Sequence, residues 1–341
     1  TVASVLTVRR LAISTALAVA VTVVLGPVGA SASGTNQLPP GDQQLTIDFG
    51  GGAREYLVHV PTGTEPGKRL PVVFNFHGGG SDAPTEKAYS QMDATADRHG
   101  FVVVYPQGVP PAPGQQSLRT WNAGKCCGPA KRTNADDVGF TFAVLDDLAR
   151  RTPVDKRRVY ATGISNGGMM AYRLAADASK RVAAVASVAG QVEVTKFAPT
   201  RPVPVMEFHS VDDPRALYNG GLGLPFPGTN IQNQFDSVQE GIDRWVAYDG
   251  CPRTPKTAPA VQGHPGSGDE GETATRITYE PCKRDAQVVL WKLTGAGHVW
   301  PGTPIDVNGT RQGAVLGEST KIVDANELMW EFFAKHPLSK S

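Results

Sequence analysis

Five residues, Gly163-Ile164-Ser165-Asn166-Gly167, have the types and spacing that make a serine a nucleophile. The β-rich run Val159-Tyr160-Ala161-Thr162 precedes them, and Gly168 to Leu174 continues with helical spacing. Strand, sharp turn and helix are the context that presents such a serine hydroxyl. The glycines are needed because a strained turn leaves no room for Cβ atoms beside the serine. A helix N-terminus behind it favours developing negative charge. With 38 glycines in the chain the pattern alone carries little weight, so its context decides.

A serine needs a base, and with this elbow the chain order runs Ser, then Asp or Glu, then His. His209, His264, His298 and His336 follow Ser165. His209 ends a strand, His264 lies in a polar loop and His336 closes the final helix. His298, in Gly295-Ala296-Gly297-His298-Val299-Trp300-Pro301-Gly302, follows the last apolar run and is the expected base. The acid should end the strand Val203–Phe208, where Asp212 and Asp213 stand side by side before Pro214. One would hold the imidazole tautomer, and the other would cap the following turn. Asp136 and Asp137 precede Ser165 and read as helix-N-terminal carboxylates.

Donors for an oxyanion are expected from Phe76-His77-Gly78-Gly79-Gly80, which follows another apolar strand. Its bare glycines let backbone N–H groups approach a carbonyl. The Gly79 N–H paired with that of Asn166 would complete the hole. His77, Trp121 and Trp300 are candidates for the substrate-pocket wall.

These residues need a scaffold. Apolar β-branched runs at Leu70–Phe76, Phe101–Tyr105, Val159–Thr162, Val182–Val188, Val203–Phe208 and Val288–Leu293 read as strands buried on both faces. Helical spacing appears at Tyr89–His99, Asp137–Arg150, Gly168–Ala178, Phe235–Tyr248 and Thr320–Lys335. The alternation predicts an α/β fold, a mostly parallel doubly wound sheet flanked by helices in one domain. Gln44–Phe49 and Arg54–Val60 suggest an antiparallel hairpin at its edge, while Val109–Ser117 and Pro259–Thr273 read as surface loops.

The catalytic domain is expected over 45–336, after a flexible segment, 33–44, and a signal peptide, 1–32. Arg9-Arg10, the uncharged run Leu11 to Leu25 and Ala30-Ser31-Ala32 form that signal, with cleavage near Ala32. The run is shorter than the ~20 residues a spanning helix needs. Secretion is the expectation, with no membrane attachment after cleavage. A formal net charge of +1 in 341 residues offers no field for nucleic acid. Four cysteines without metal-site spacing argue against structural zinc, and no cofactor or metal is expected. A monomer acting on a small-molecule or polymer-linked ester is the expected state.

Trp121-Asn122-Ala123-Gly124-Lys125-Cys126-Cys127-Gly128, Asp136 to Phe140, Gly163 to Met170 and Gly297 to Gly302 together resemble the secreted polyhydroxybutyrate depolymerase-like esterases, a group with feruloyl and acetylxylan esterases. The resemblance runs from about Leu45 to His336. It implies an α/β-hydrolase fold and carboxylic ester hydrolysis, with Ser165 as nucleophile, His298 as base and Asp213 as acid. The group's usual turn places its Asp directly before Pro214. The chain departs from the pattern at Asp212, where a small residue is common, and at Arg215-Ala216-Leu217, which replaces a more apolar run. The same pattern suggests that Cys251 and Cys282 are bonded, a link that would contribute roughly 3–4 kcal/mol in the chain-entropy model. Cys126 and Cys127 could be a disulfide or two small buried residues. Alternatives to the esterase are a catalytically silent carbohydrate- or polymer-binding protein and a peptidase or amidase with the same triad.

Overall fold

The computed structural model describes residues 37–65, 67–115, 117–225, 232–305 and 313–339. The expected signal peptide and residues 33–36 lie outside them. Strands β1 (Gly41–Phe49) and β2 (Gly52–Val60) form the expected antiparallel hairpin at one sheet edge. β1 begins inside the segment expected to be flexible. Residues 41–44 pair with Leu57 to Val60, so this part of the segment is ordered by a ladder.

Strands β3 (Leu70–Phe76), β4 (Val102–Pro106), β5 (Val154–Gly163), β6 (Ala184–Val188) and β7 (Val205–Ser210) follow. Then come the short β8 (Gly221–Leu222) and β9 (Gln234–Phe235), which pair with each other, the short β10 (Lys256–Thr257) and β11 (Val261–Gln262), which both pair with the next strand, and finally β12 (Thr273–Tyr279) and β13 (Val288–Thr294). The main sheet runs β1-β2-β4-β3-β5-β6-β7-β13-β12-β10, with β11 against β12. From β4 to β13 the pairings are parallel, as continuous apolar runs require. The stretch read as a loop, Pro259–Thr273, holds β11 and opens β12. Its polar composition hid an edge ladder that is half exposed.

Eight helices cover this sheet among the described residues: α1 (Ala83–Ser90), α2 (Met92–His99), α3 (Gly128–Arg132), α4 (Asp137–Arg151), α5 (Asn166–Asp177), α6 (Val238–Asp249), α7 (Gly313–Leu316) and α8 (Ala325–Lys335). Along β3 the side chains alternate between two layers. Val72, Phe74 and Phe76 share a core with Leu145 and Leu148 of α4, Met170 and Leu174 of α5, and Trp245 of α6. Val73 packs in the opposite core with Met92 and Ala96 of α2 and Phe332 and Phe333 of α8. Helices on both faces make the sheet doubly wound.

Caps set the helix ends. Asp136 accepts the Gly139 N–H at 2.8 Å and starts α4, and Ser237 with Glu240 forms a capping box on α6. The last helix begins at Ala325 rather than Thr320, because Asp324 caps it by accepting the Glu327 N–H. The helix expected over Tyr89–His99 is two. α1 starts at Ala83 behind the Asp82 cap, and Gln91, left-handed at φ 53°, breaks it from α2. Cys251 is bonded to Cys282 and Cys126 to Cys127, and the latter two are also buried.

At the end of α6 the fold buries Asp249 completely. Its carboxylate accepts the Val203 N–H at 3.2 Å, while Oδ2 has no partner among the described residues. Burial pushes its pKa up to about 7. The folded chain then holds a proton that the unfolded chain releases near pH 4, so this group's contribution falls as pH rises between ~4 and ~7. Asp249→Asn should flatten that fall. Urea midpoints of both proteins at about pH 5 and pH 8 check it, and the wild type should lose more on going to the higher pH.

Candidate active site

β5 delivers Ile164 and Ser165 to the turn before α5. Ser165 is held at φ 57°, ψ −123°, a strained conformation for a residue with a side chain. Its N–H donates to the Val188 carbonyl at 2.7 Å, and its carbonyl accepts the Met169 N–H at 2.9 Å. The turn sits so close to β3 that a Cβ at Gly163 or Gly167 would overlap the Phe76 carbonyl. A Cβ at Gly168 would likewise overlap the Ser187 hydroxyl.

The Asn166 side chain is spent on structure. Its Oδ1 accepts the Trp121 N–H at 2.7 Å and its Nδ2 donates to the Trp121 carbonyl at 3.0 Å. Its backbone N–H, at the first helical position, has no intrahelical acceptor. Across the turn, Gly78 passes the elbow, 3.7 Å from the Ser165 Cβ to an added Cβ. Gly80 N–H is occupied by the Arg119 carbonyl at 2.8 Å, whereas Gly79 N–H meets no acceptor among the described residues.

His298 follows β13. Its Nδ1 lies 2.7 Å from Asp213 Oδ2, and its backbone N–H donates to the Leu316 carbonyl in α7. Asp213 Oδ1 accepts the N–H groups of Arg215 at 2.7 Å and Ala216 at 2.9 Å. Burial alone would raise the pKa of this carboxyl. His298, then His209 and the Ala216 N–H, outweigh burial and hold it below the usual carboxylate range.

The pair of aspartates divides its work differently from the expectation. Turn capping falls to Asp213 itself. Asp212 does not cap its own turn: its Oδ2 accepts the Gly295 N–H at 2.7 Å and ties the His298 loop to the end of β7. Of the two aspartates, the structure places Asp213 against His298 Nδ1.

His209 lies fully buried behind Asp213. Its Nδ1 is 2.8 Å from Glu207 Oε1, and its Nε2 is 2.7 Å from the Ala216 carbonyl and 3.5 Å from Asp213 Oδ2. Burial opposes its charge, but Glu207 and Asp213 outweigh burial and raise its pKa. His264 stays in its polar loop, and His336 is bonded to the Phe332 carbonyl at the end of α8.

A cavity of about 940 Å3 joins Ser165, His298 and Gly78 to Gly80. Its walls include Glu86 and Tyr89 of α1, Ile164, Ile305, and Val315 and Leu316 of α7. The three residues expected on this wall are not on it. His77 is fully buried, with Nδ1 donating to the Gly78 carbonyl at 2.8 Å and Nε2 accepting the Gly108 N–H at 3.0 Å. Burial lowers its pKa to about 4, so it stays neutral as that pattern of bonds requires. Trp121 stacks edge-on against Phe76 and donates to the His77 carbonyl. Trp300 donates its Nε1–H to Asn326. All three rings lie under the glycine loop or the His298 loop, where burying large apolar surface is more favourable than lining a cavity. Glu86 lies before the start of the helix that the spacing indicates, whereas Tyr89 stands at its first position with no motif to mark it as a wall residue.

The family model "Esterase PHB depolymerase" matches residues 54–239. The chain belongs to this family. It is 31% identical over 250 residues to "Feruloyl esterase B" of Piromyces equi, covering 72% of this chain and 42% of that protein. It is 30% identical over 260 residues to "Putative esterase NocK" of Nocardia uniformis subsp. tsuyamanensis, covering 74% and 72%. The chain thus spans less than half of the feruloyl esterase. An acetyl xylan esterase from Aspergillus awamori shares the fold, with a TM-score of 0.50 and 16% identity over 86% of this chain and 99% of that one. The fold is that of an α/β-hydrolase, as the motifs implied.

The elbow's packing is tested by filling its clearance. Gly167→Ala would force α5 away from β3, because the new methyl has no space against the Phe76 carbonyl. The expected outcome is a melting temperature several degrees lower and activity reduced at least about tenfold, read by thermal unfolding and by turnover of one soluble ester.

Proposed function

We propose that this family member is an exported serine carboxylic ester hydrolase working through an acyl-enzyme. The observation that carries the reading is the 2.7 Å contact between His298 Nδ1 and the buried Asp213 Oδ2, with His298 lining one cavity together with Ser165. With Nδ1–H donated to the carboxylate, Nε2 is left as the base. Ser165 Oγ attacks the ester carbonyl while Nε2 takes its proton. The oxyanion is met by the N–H groups of Gly79 and Asn166. Collapse expels the alcohol, which receives the proton from His298. Water, activated by the same imidazole, then releases the acid and restores Ser165.

Asp213 holds the imidazole tautomer and stabilises the imidazolium formed at each step. The substrates we favour are feruloyl or acetyl esters of plant polysaccharide, or hydroxyalkanoate esters. The names of the relatives and of the family support this range. The expected signal over residues 1–32 supports export, and no described helix is long and apolar enough to cross a membrane.

Purified protein should hydrolyse at least one of methyl ferulate, acetylated xylan, hydroxybutyrate oligomers and a p-nitrophenyl ester series. Failure on all four would leave the silent binding protein as the better reading. Asp213→Asn should reduce turnover by about 10⁴, the scale of the same change in a serine protease of unrelated fold. Asp212→Asn keeps an amide oxygen for the Gly295 N–H and should stay within about tenfold of wild type. Equal losses would mean that the two carboxylates share one role.

A further inference from the structure

Glu86 is a carboxyl without an explanation in the fold. It lies on the inner face of α1, 1% exposed, and it lines the cavity that holds Ser165 and His298. Neither oxygen has a hydrogen-bond or ion partner among the described residues, and Oε1 is fully buried. Buried carboxyls are nearly always paired, because leaving one unpaired costs more than an aliphatic side chain in the same place. Among the described residues no lysine or arginine pairs with it. Burial therefore pushes its pKa well above the usual carboxylate range, toward the uncharged form.

Tyr89 stands three residues on, on the same face of α1, and also lines the cavity. Its hydroxyl oxygen accepts the Trp300 N–H at 3.1 Å, and its own hydrogen meets no acceptor among the described residues. Burial, helped by the nearby Glu86, pushes its pKa up to about 12 and keeps that hydrogen in place. Elsewhere the described wall combines the aliphatic Ile164, Ile305, Val315 and Leu316 with Ser81, Asp82, Thr85 and Ser117 near the glycine loop and the start of α1. An uncharged carboxyl both donates and accepts, which is the complement of an alcohol or phenol hydroxyl and not of an ammonium group.

We propose that Glu86, with the Tyr89 hydroxyl beside it, recognises a hydroxyl group carried by the substrate, so that this site prefers hydroxylated esters to the same esters without the hydroxyl. The inference rests on the esterase reading. The hydroxyl could sit on the acyl group or on the alcohol, and the two sources are separable. One pair of esters, methyl para-hydroxycinnamate and methyl cinnamate, differs on the acyl side. A second pair, glycerol monoacetate and propyl acetate, differs on the alcohol side.

The measurement is the ratio of kcat/KM within each pair, for wild type, Glu86→Leu, Glu86→Gln and Tyr89→Phe. A ratio is independent of the fraction of active enzyme, so a partly unfolded variant does not distort it. Wild type should favour the hydroxylated ester about tenfold or more in one pair. Glu86→Leu should bring that ratio to near one. Glu86→Gln, which still donates and accepts, should keep most of the preference, and Tyr89→Phe should lower it part-way. If Glu86→Leu does not fold, the Tyr89→Phe ratio decides in its place.

Ratios that are the same in wild type, Glu86→Leu and Tyr89→Phe, with turnover of the esters intact, would overturn this inference and leave the esterase reading standing. A wild type with no preference in either pair would do the same. A wild type that hydrolyses none of these four esters would overturn this inference, while the esterase reading stands or falls separately on its own panel of esters.

Discussion

The close approach of the α5 N-terminus to the end of β3 is the constraint on which the rest of the site depends. Only glycine at positions 163 and 167 lets the elbow reach the Phe76 carbonyl. That contact fixes Ser165 at its strained φ and aims the first N–H groups of α5 outward. It also brings the glycines after Phe76 alongside the serine. The loop is then held from behind by His77, which bridges Gly78 and Gly108, and by Trp121, which is fastened to Asn166 on one side and to the His77 carbonyl on the other. A neutral histidine and a buried tryptophan therefore serve the geometry of the cavity without entering it.

The second organising group is the Asp213 carboxylate. One oxygen is taken by two backbone N–H groups of its own turn, and the other faces His298. A carboxylate so fully bonded resists rotation, which fixes the imidazole that leans on it. Behind it, the buried His209 is held by Glu207 and lies 3.5 Å from the same Asp213 oxygen. Asp212 fastens the opposite end of the His298 loop through Gly295. The segments after β7 and after β13 are joined by these hydrogen bonds, and the turn after β5 is bonded to the end of β6 through the Val188 carbonyl.

What could be read from the amino-acid order follows from where local rules apply. The elbow, the strand-end aspartates and the glycine-flanked His298 sit at strand ends, where spacing, turn residues and chain order reduce the choices to a few. The sheet's parallel centre was legible for the same reason, since its strands are apolar on both faces. The pocket wall was not. Trp121 and Trp300 look like ligand-facing aromatics by motif, but their size makes them core. Glu86 and Tyr89 lie on α1, whose start is signalled by Asp82 and Pro84 rather than by apolar periodicity. Ile305 and α7 come from a segment without strong patterning that reaches the site only through long-range bonds such as His298 N–H to Leu316. The polar β12 escaped because edge strands need no continuous apolar run.

The central claim is that Ser165 is the nucleophile, and covalent trapping tests it most directly. The protein would be incubated with a fluorophosphonate, digested, and its peptides mapped by mass spectrometry. The account predicts one stoichiometric phosphonyl adduct, on Ser165, with activity lost in proportion to labelling and no adduct in Ser165→Ala. An adduct on another residue, or full inhibition with Ser165 unmodified, would contradict it.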